Sequence, residues 1–148
     1  MLPQLNLPPI QARLQESDGK IWIFDGIRKK FIVLTPEEWV RQHLIAHLQT
    51  QGYARSLMKV EGGLSVNELR KRSDIVVYDR QGKPWMVVEC KNPLIPIDNN
   101  TLQQVASYNV SLQARYIMVS NGMEHYYFAT DWDRREVKRL EALPRFVD

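Results

Sequence analysis

Hydrophobic and polar residues alternate along this chain in patterns that predict strands near both ends. In KIWIFDGIRKKFIVL, two runs rich in Ile, Phe and Val flank Asp25-Gly26, a dipeptide that favours tight turns between strands. This pattern predicts a β-hairpin at about residues 20–34. Asn121-Gly122, between RYIMVS and HYYFAT, predicts a second hairpin in the same way.

The segment after the first hairpin carries several helix-start signals together. Thr35 is a favourable N-cap, Pro36 suits the first helical position, and Glu38 stands three residues after the cap, as in a capping box. We therefore expect a helix from Pro36 to about Gln51, ended by Gly52.

The middle of the chain predicts three strands followed by a second helix. The strands are SLMKVEGGLSV, RSDIVVYD and PWMVVECK, with RQGK as the turn between the last two. From about Asn99 to Gln113, residues recur at helical intervals, with Asn99, Asn100 or Thr101 as the cap. Because this helix joins two strands, we expect part of the sheet to be parallel, with the helix as the crossover.

This order of elements predicts a single domain of mixed α/β (α+β) class, a central mixed sheet flanked by helices with an extra N-terminal hairpin. A chain of 148 residues is long enough for one domain with its own core. We expect that core at about residues 35–130, preceded by the hairpin at 20–34 and followed by a C-terminal extension at 131–148.

Composition adds three constraints. The single cysteine, Cys90, excludes an internal disulfide and a cysteine-based metal cluster, so oxygen ligands would have to hold any metal. No membrane-length apolar run and no signal peptide is evident, which predicts a cytoplasmic protein without membrane contact. The net charge of +3 permits a polyanionic partner but does not require one.

The most informative stretch is MVVECKNP, where two charged residues end an apolar strand. Glu89 and Lys91 share one face with Val87, because side chains alternate along a strand. If the preceding turn is centred on Gln81-Gly82, Asp74 lies directly opposite Glu89, with Cβ atoms about 4.5 to 5.5 Å apart.

Two carboxylates at that distance repel unless a cation lies between them. Mg²⁺ suits such a site, since it binds one or two carboxylates and completes its shell with water and phosphate oxygens. Lys91 would then orient or deprotonate a water, or neutralise a phosphate. The alternative is that Asp74 and Glu89 only mark strand ends and pair with Arg72 and Lys91.

These residues resemble the PD-(D/E)xK nuclease superfamily, whose restriction-endonuclease-like core runs helix, three-stranded meander, helix, strand. More narrowly, TPEEWVRQHL, RSDIVVYD, MVVECKNP, QVASYN and MVSNG together resemble the N-terminal domain of type I restriction enzyme R subunits, in a small stand-alone form. The resemblance covers about residues 20–130. The family's usual proline before the aspartate is Ser73 here.

The resemblance implies roles for individual residues. Asp74 and Glu89 would bind Mg²⁺ or Mn²⁺, the backbone carbonyl of Cys90 would add a ligand, and Lys91 would act on the nucleophilic water. Gln104 and Tyr108 match the QxxxY motif of RecB-like nucleases.

In those relatives, the helix face that carries the QxxxY motif approaches the metal site and the nucleic-acid backbone. A spacing of four residues puts Gln104 and Tyr108 on one helix face. The alternative is that Tyr108 is a core residue and Gln104 a solvated one.

The first helix normally contributes an acid as well. On a helical wheel, Glu37 falls within the stripe of Val40, Leu44 and Leu48, whereas Glu38 falls outside it and has the capping role, so we choose Glu37. Arg41 lies on the same stripe and is a possible partner of Glu37. Glu61 is a weaker candidate whose strand could face either way.

Basic residues precede the predicted metal-binding strand. Lys71 and Arg72, in RKRSD, are positioned to hold phosphates, although a solvated charge run explains them equally well. His43, His47 and His125 lack the spacing of a common metal site, and we interpret them as structural.

The leading hypothesis is a metal-dependent endonuclease that hydrolyses DNA, associated with restriction or repair. The alternative is a non-catalytic nucleic-acid- or protein-binding module that retains the nuclease fold. The resemblance also suggests a helicase or recognition subunit as a partner, while the oligomeric state stays open.

Overall fold

The computed structural model describes residues 2–61 and 74–147, and at Glu61 and Asp74 it describes the main chain. In these described parts of the chain, nine strands form two sheets and two α-helices pack on the larger sheet. The predicted mixed α/β (α+β) class is confirmed. Within the described residues, neither α-helix combines the length and the apolar character needed to cross a membrane.

The N-terminal region forms a three-stranded antiparallel sheet, not a simple hairpin. Its strands are β1 (Leu14–Ser17), β2 (Lys20–Asp25) and β3 (Lys30–Val33). The tight two-residue turn is Asp18-Gly19, between β1 and β2, where both residues have positive φ angles. Residues 26–29 connect β2 and β3, so the predicted hairpin at residues 20–34 is confirmed, and Asp25-Gly26 stands at the start of a connection longer than two residues.

The larger sheet has six strands in chain order: β4 (Met58–Glu61), β5 (Asp74–Tyr78), β6 (Pro84–Cys90), β7 (Tyr116–Ser120), β8 (His125–Asp131) and β9 (Glu136–Leu140). β6 and β7 pair in parallel, and the other neighbours pair antiparallel. The expected parallel crossover is therefore confirmed. The C-terminal extension contributes β9, an edge strand that the sequence pattern did not predict.

The two helices match their predicted positions closely. Helix α1 (Pro36–Thr50) is capped by the Thr35 hydroxyl, which accepts from the Glu38 N–H at 3.1 Å, as predicted. Helix α2 (Asn99–Leu112) is capped by Asp98, not by Asn99, Asn100 or Thr101: the Asp98 carboxylate accepts from the Thr101 N–H at 2.9 Å. A short 3₁₀ helix (Arg55–Leu57) leads into β4.

The helices cover opposite faces of the larger sheet, so the core has two layers. Beneath α1, Val40, Leu44 and Leu48 pack against alternate residues of β5, β6 and β7. Beneath α2, Val105 packs against the other face of the same strands, including Val87. These central strands are therefore buried on both sides, as expected for strands next to a parallel crossover.

A β-bulge interrupts the pairing of β5 with the start of β6. The β5–β6 register shifts between Val77 and Tyr78, because Val77 pairs with Met86 whereas Tyr78 pairs with Pro84. Trp85 is the extra residue of this bulge, and its indole packs in the core beneath α1 with Tyr53 and other aromatic rings.

Candidate active site at the carboxyl end of β6

At the carboxyl end of β6, buried apolar residues give way to charged ones. Val87 and Val88 have no exposed surface, and Glu89 follows with a half-buried side chain. Val87 packs beneath α2, so Glu89 lies on that same face, while Cys90 packs beneath α1. The predicted division of this strand between its two faces is confirmed.

Glu89 and Lys91 form an ion pair, with 3.3 Å between Glu89 Oε2 and Lys91 Nζ. Their side chains are 18% and 32% exposed, so water only partly screens the pair. The Lys91 N–H donates to the Ser120 carbonyl at 2.8 Å, which ties the end of β6 to β7. The structure thus presents a carboxylate and an amine together at the sheet edge where two parallel strands end.

The β5–β6 register agrees with the one predicted. Ile75 lies opposite Val88, and the next residues outward on the two strands are Asp74 and Glu89. On its other side, the main chain of Asp74 pairs with Glu61 of β4. Three acidic positions therefore lie in one row across β4, β5 and β6.

Several predicted site residues lie outside this description. The side chains of Asp74 and Glu61 are outside the described residues, as are Lys71 and Arg72. Their roles in binding a metal or phosphates stay predictions. Among the side chains that the structure describes, no three from His, Cys, Asp and Glu are placed together to hold a metal ion.

Helix α2 lies over the face that carries Glu89. Val105 and Asn109 face the sheet and are buried, whereas Gln104 and Tyr108 lie on the exposed side. Tyr108 is 36% exposed, so the alternative that it is a core residue is wrong. Both residues of the QxxxY pattern are accessible from solvent, and a contact with nucleic acid stays a prediction.

At the start of α1, the arrangement of charges differs from our expectation. Arg41 is fully buried and pairs with Glu38 and, at 3.1 Å, with Asp25 Oδ2. Glu38 is buried and Glu37 half-buried, so placing Glu38 outside the buried side of the helix was wrong. The helical wheel takes the buried side from apolar residues alone. In the structure, the end of β2 brings Asp25 against this turn of α1, and Glu38 is buried beside the Arg41 that both carboxylates share. A role for Glu37 at a metal stays a prediction.

In this charge cluster at the start of α1, neighbouring charged groups shift the pKa values of Asp25 and Arg41. Burial alone would raise the pKa of Asp25, but Arg41, Arg28 and the Ile27 N–H together hold it below its ordinary value. Burial would lower the pKa of Arg41, but Glu38, Asp25 and Cys90 raise it above its ordinary value.

Val40 of α1 lies beside Gly122, just after the carboxyl end of β7, which places the first half of α1 at that end of the sheet. The cluster therefore lies at the same end of the sheet as Glu89, on the opposite face. Asp25 and Arg28 were not candidates from the sequence, because nothing in a turn between strands indicates pairing with a distant helix.

Two of the three histidines make the structural contacts expected of them. His43 Nδ1 lies 2.8 Å from the Trp39 carbonyl within α1, and burial lowers its pKa. His125 bridges the Ser120 hydroxyl (2.8 Å) and the Asn6 carbonyl (3.0 Å). Burial, and to a smaller extent His125, lowers the pKa of His47.

Comparison with known proteins identifies the family. A family model described as the type I restriction enzyme R protein N terminus matches residues 36–144, which include both helices and all six strands of the larger sheet. No curated protein matches the chain.

Proposed function

The chain belongs to the family of type I restriction enzyme R protein N-termini, and from this premise we propose that it is a metal-dependent endonuclease of a restriction system. Its substrate would be DNA, and its reaction the hydrolysis of a phosphodiester bond. Cleavage would leave a 5′-phosphate and a 3′-hydroxyl.

The observation that carries this proposal is the Glu89–Lys91 pair at the carboxyl end of β6. A carboxylate is a ligand for a hard cation, and an ammonium group beside it attracts a phosphate. An ordinary surface ion pair would be more exposed and would not lie at the end of a strand that is buried on both faces.

The donors at this position suit Mg²⁺ or Mn²⁺. Glu89 and the backbone carbonyl of Cys90 would hold the ion, with Asp74, next to Glu89 in the strand register, as the second carboxylate. All three supply oxygen, which hard cations prefer, and the Cys90 thiol points into the opposite core. When bound, the ion would polarise a phosphoryl oxygen and stabilise charge on the leaving oxygen.

Lys91 would orient the attacking water or accept a proton from it, or its ammonium group would neutralise charge on the phosphate. The pairing with Glu89 orients the amine toward the site before substrate arrives. Glu37 is a further candidate acid from α1, and Gln104 and Tyr108 would contact the substrate backbone from α2. Lys71 and Arg72 would hold neighbouring phosphates.

DNA and other subunits, such as a helicase or a recognition subunit, are the partners that this family suggests. The second candidate function is a nucleic-acid- or protein-binding module that keeps the nuclease fold without catalysis. The two differ in whether Glu89 and Lys91 are needed for a reaction or only for binding.

Nicking of supercoiled plasmid in Mg²⁺ or Mn²⁺ tests the proposal. We expect wild type to nick, and Glu89→Ala and Lys91→Ala to lose at least about a hundredfold in rate, the scale of general acid–base and electrostatic contributions. Exposed residues of the same types provide matched controls: Glu141→Ala and Lys138→Ala should nick at the wild-type rate. If all five proteins bind DNA and none nicks it, the binding-module function is correct instead.

A further inference from the structure

Exposed apolar side chains border the carboxyl ends of β6 and β7. Leu94 and Ile95, in the loop after β6, are 84% and 52% exposed, and Met123, in the loop after β7, is 42% exposed. We call these three residues the apolar ridge. Single exposed apolar residues are common on proteins, so the position and rigidity of this ridge decide its meaning.

The first loop is fixed by its own hydrogen bonds. The Asn92 side-chain carbonyl accepts from the Leu94 N–H at 2.8 Å, and the Asn92 main-chain carbonyl accepts from the Ile95 N–H at 3.0 Å. Pro93 and Pro96 flank the two apolar residues and restrict the backbone further. Leu94 and Ile95 are therefore displayed on a stiff turn.

Asn121 joins the two loops. It is 3% exposed, and its Nδ2 donates to the Ile95 carbonyl at 2.9 Å. Its Oδ1 accepts from the N–H groups of Met123 (2.9 Å) and Glu124 (2.8 Å). One buried amide thus connects both halves of the apolar ridge, so its members keep a fixed relation to each other and to the ends of β6 and β7.

The ridge also lies close to the candidate active site. Leu94 is three positions after Lys91 in the chain, so their Cα atoms are at most about 11 Å apart. Along one DNA strand that distance corresponds to about three steps of 3.4 Å. A phosphodiester held by Glu89 and Lys91 would therefore bring the adjoining base steps within reach of Leu94 and Ile95.

We propose that the apolar ridge is a wedge that packs against and partly unstacks the base step beside the scissile phosphate of DNA. This inference rests on the proposed function. Apolar side chains inserted between base steps kink duplexes in several classes of DNA-binding protein, and a rigid mount is what such an insertion needs. The net charge of +3 and the amine of Lys91 favour a polyanion over an apolar protein surface as the occupant.

The wedge gives the site a means of choosing where it cuts. Pyrimidine–purine steps such as TA unstack most easily, because their stacking is weak and flexible. Cleavage should then be favoured at these steps and at mismatches, without any hydrogen bond that reads a base edge.

The test uses duplexes with 2-aminopurine at successive positions, bound to the wild-type chain in EDTA so that the DNA stays intact. We expect a several-fold rise in fluorescence at one or two adjacent positions, which reports unstacking. Leu94→Ser and Ile95→Ser should abolish the rise, and in Mg²⁺ they should lose the preference for TA steps. Leu14→Ser, at a residue 53% exposed on β1, is the matched control and should behave as wild type.

The outcomes separate the wedge from the function on which it rests. If wild type binds and nicks DNA but no position brightens, or if Leu94→Ser and Ile95→Ser both brighten like Leu14→Ser, the wedge is overturned while the nuclease function stands. The ridge would then contact a partner subunit instead. If wild type neither binds nor nicks DNA, both proposals fail.

Discussion

Replacing Asp25 should destabilise the protein strongly, because its carboxylate is the centre of the buried charge cluster beside α1. Its side chain has no exposed surface and accepts from Arg28 Nε (2.7 Å), Arg41 Nη2 (3.1 Å) and the Ile27 N–H (2.9 Å). Asp25→Ala leaves Arg41 fully buried with Glu38 as its remaining partner in the cluster. Breaking a buried ion pair in this way costs about 3 to 5 kcal/mol.

Urea unfolding at pH 7 measures this loss. With a slope of about 2 kcal/mol per molar, the midpoint should fall by about 1.5 to 2.5 M. Asp131→Ala is the matched control. Asp131 also ends a strand and accepts from two N–H groups of the following turn, but it is exposed to solvent. Its midpoint shift should be less than a third as large.

The same experiment has a defined dependence on pH. Because the folded pKa of Asp25 lies below its ordinary value of 3.8, its contribution is present above pH 3.8 and is lost as the pH falls through the folded pKa. The difference between wild type and Asp25→Ala should be constant near neutral pH and shrink in acid. A midpoint shift no larger than that of Asp131→Ala, or a difference unchanged in acid, would refute the reasoning.

Three further changes test other parts of the fold. Asn109→Ala removes the buried amide that pairs with both the N–H and the carbonyl of Ala114 at the end of α2, so urea unfolding should show a loss of about 1 to 3 kcal/mol; an unchanged midpoint would contradict this. Gly122→Ala places a Cβ 2.8 Å from the Leu5 side chain at a φ of 87°, whereas Gly82→Ala, at a φ of 83°, places its Cβ in open space. The melting temperature of Gly122→Ala should therefore fall further than that of Gly82→Ala. Equal falls would mean that the Leu5 side chain moves aside without cost. Burial raises the pKa of Tyr53 to about 12, so an ultraviolet titration of the tyrosines should show one ionisation near that pH. Tyr53→Phe should remove this ionisation. If the ionisation persists in the variant, it belongs to another tyrosine.

Elements with a clear apolar pattern were predictable from sequence alone. β5 and β6 are continuous apolar runs because both of their faces are buried, and α1 and α2 have apolar residues at helical intervals because one face of each packs on the sheet. The crossover between β6 and β7 followed because a helix that links two strands of one sheet usually makes them parallel. Because side chains alternate in direction along a strand, Glu89 and Lys91 were expected to share a face, and their ion pair agrees with this.

Features set by pairing between elements were not predictable. β1 is exposed along its whole length, and most of β9 is exposed as well, so neither has an apolar period to reveal it. Asp98 begins a run of four good capping residues, and the pattern cannot choose among them. The burial of Glu38 depends on Asp25 and Arg41, residues that meet only after β2 has packed against α1.

The most direct test of the candidate site is the binding of Mn²⁺, followed by the paramagnetic resonance signal of the free ion in the presence of a short DNA duplex. Wild type and Lys91→Ala should both deplete the free signal, because the role proposed for the lysine is in the reaction and not in holding the ion. Glu89→Ala should leave the signal at the level that the duplex gives without protein, because DNA phosphates themselves take up some Mn²⁺, and the control Glu141→Ala should behave as wild type. Depletion by Glu89→Ala equal to that of wild type would contradict the assignment of Glu89 as the metal ligand.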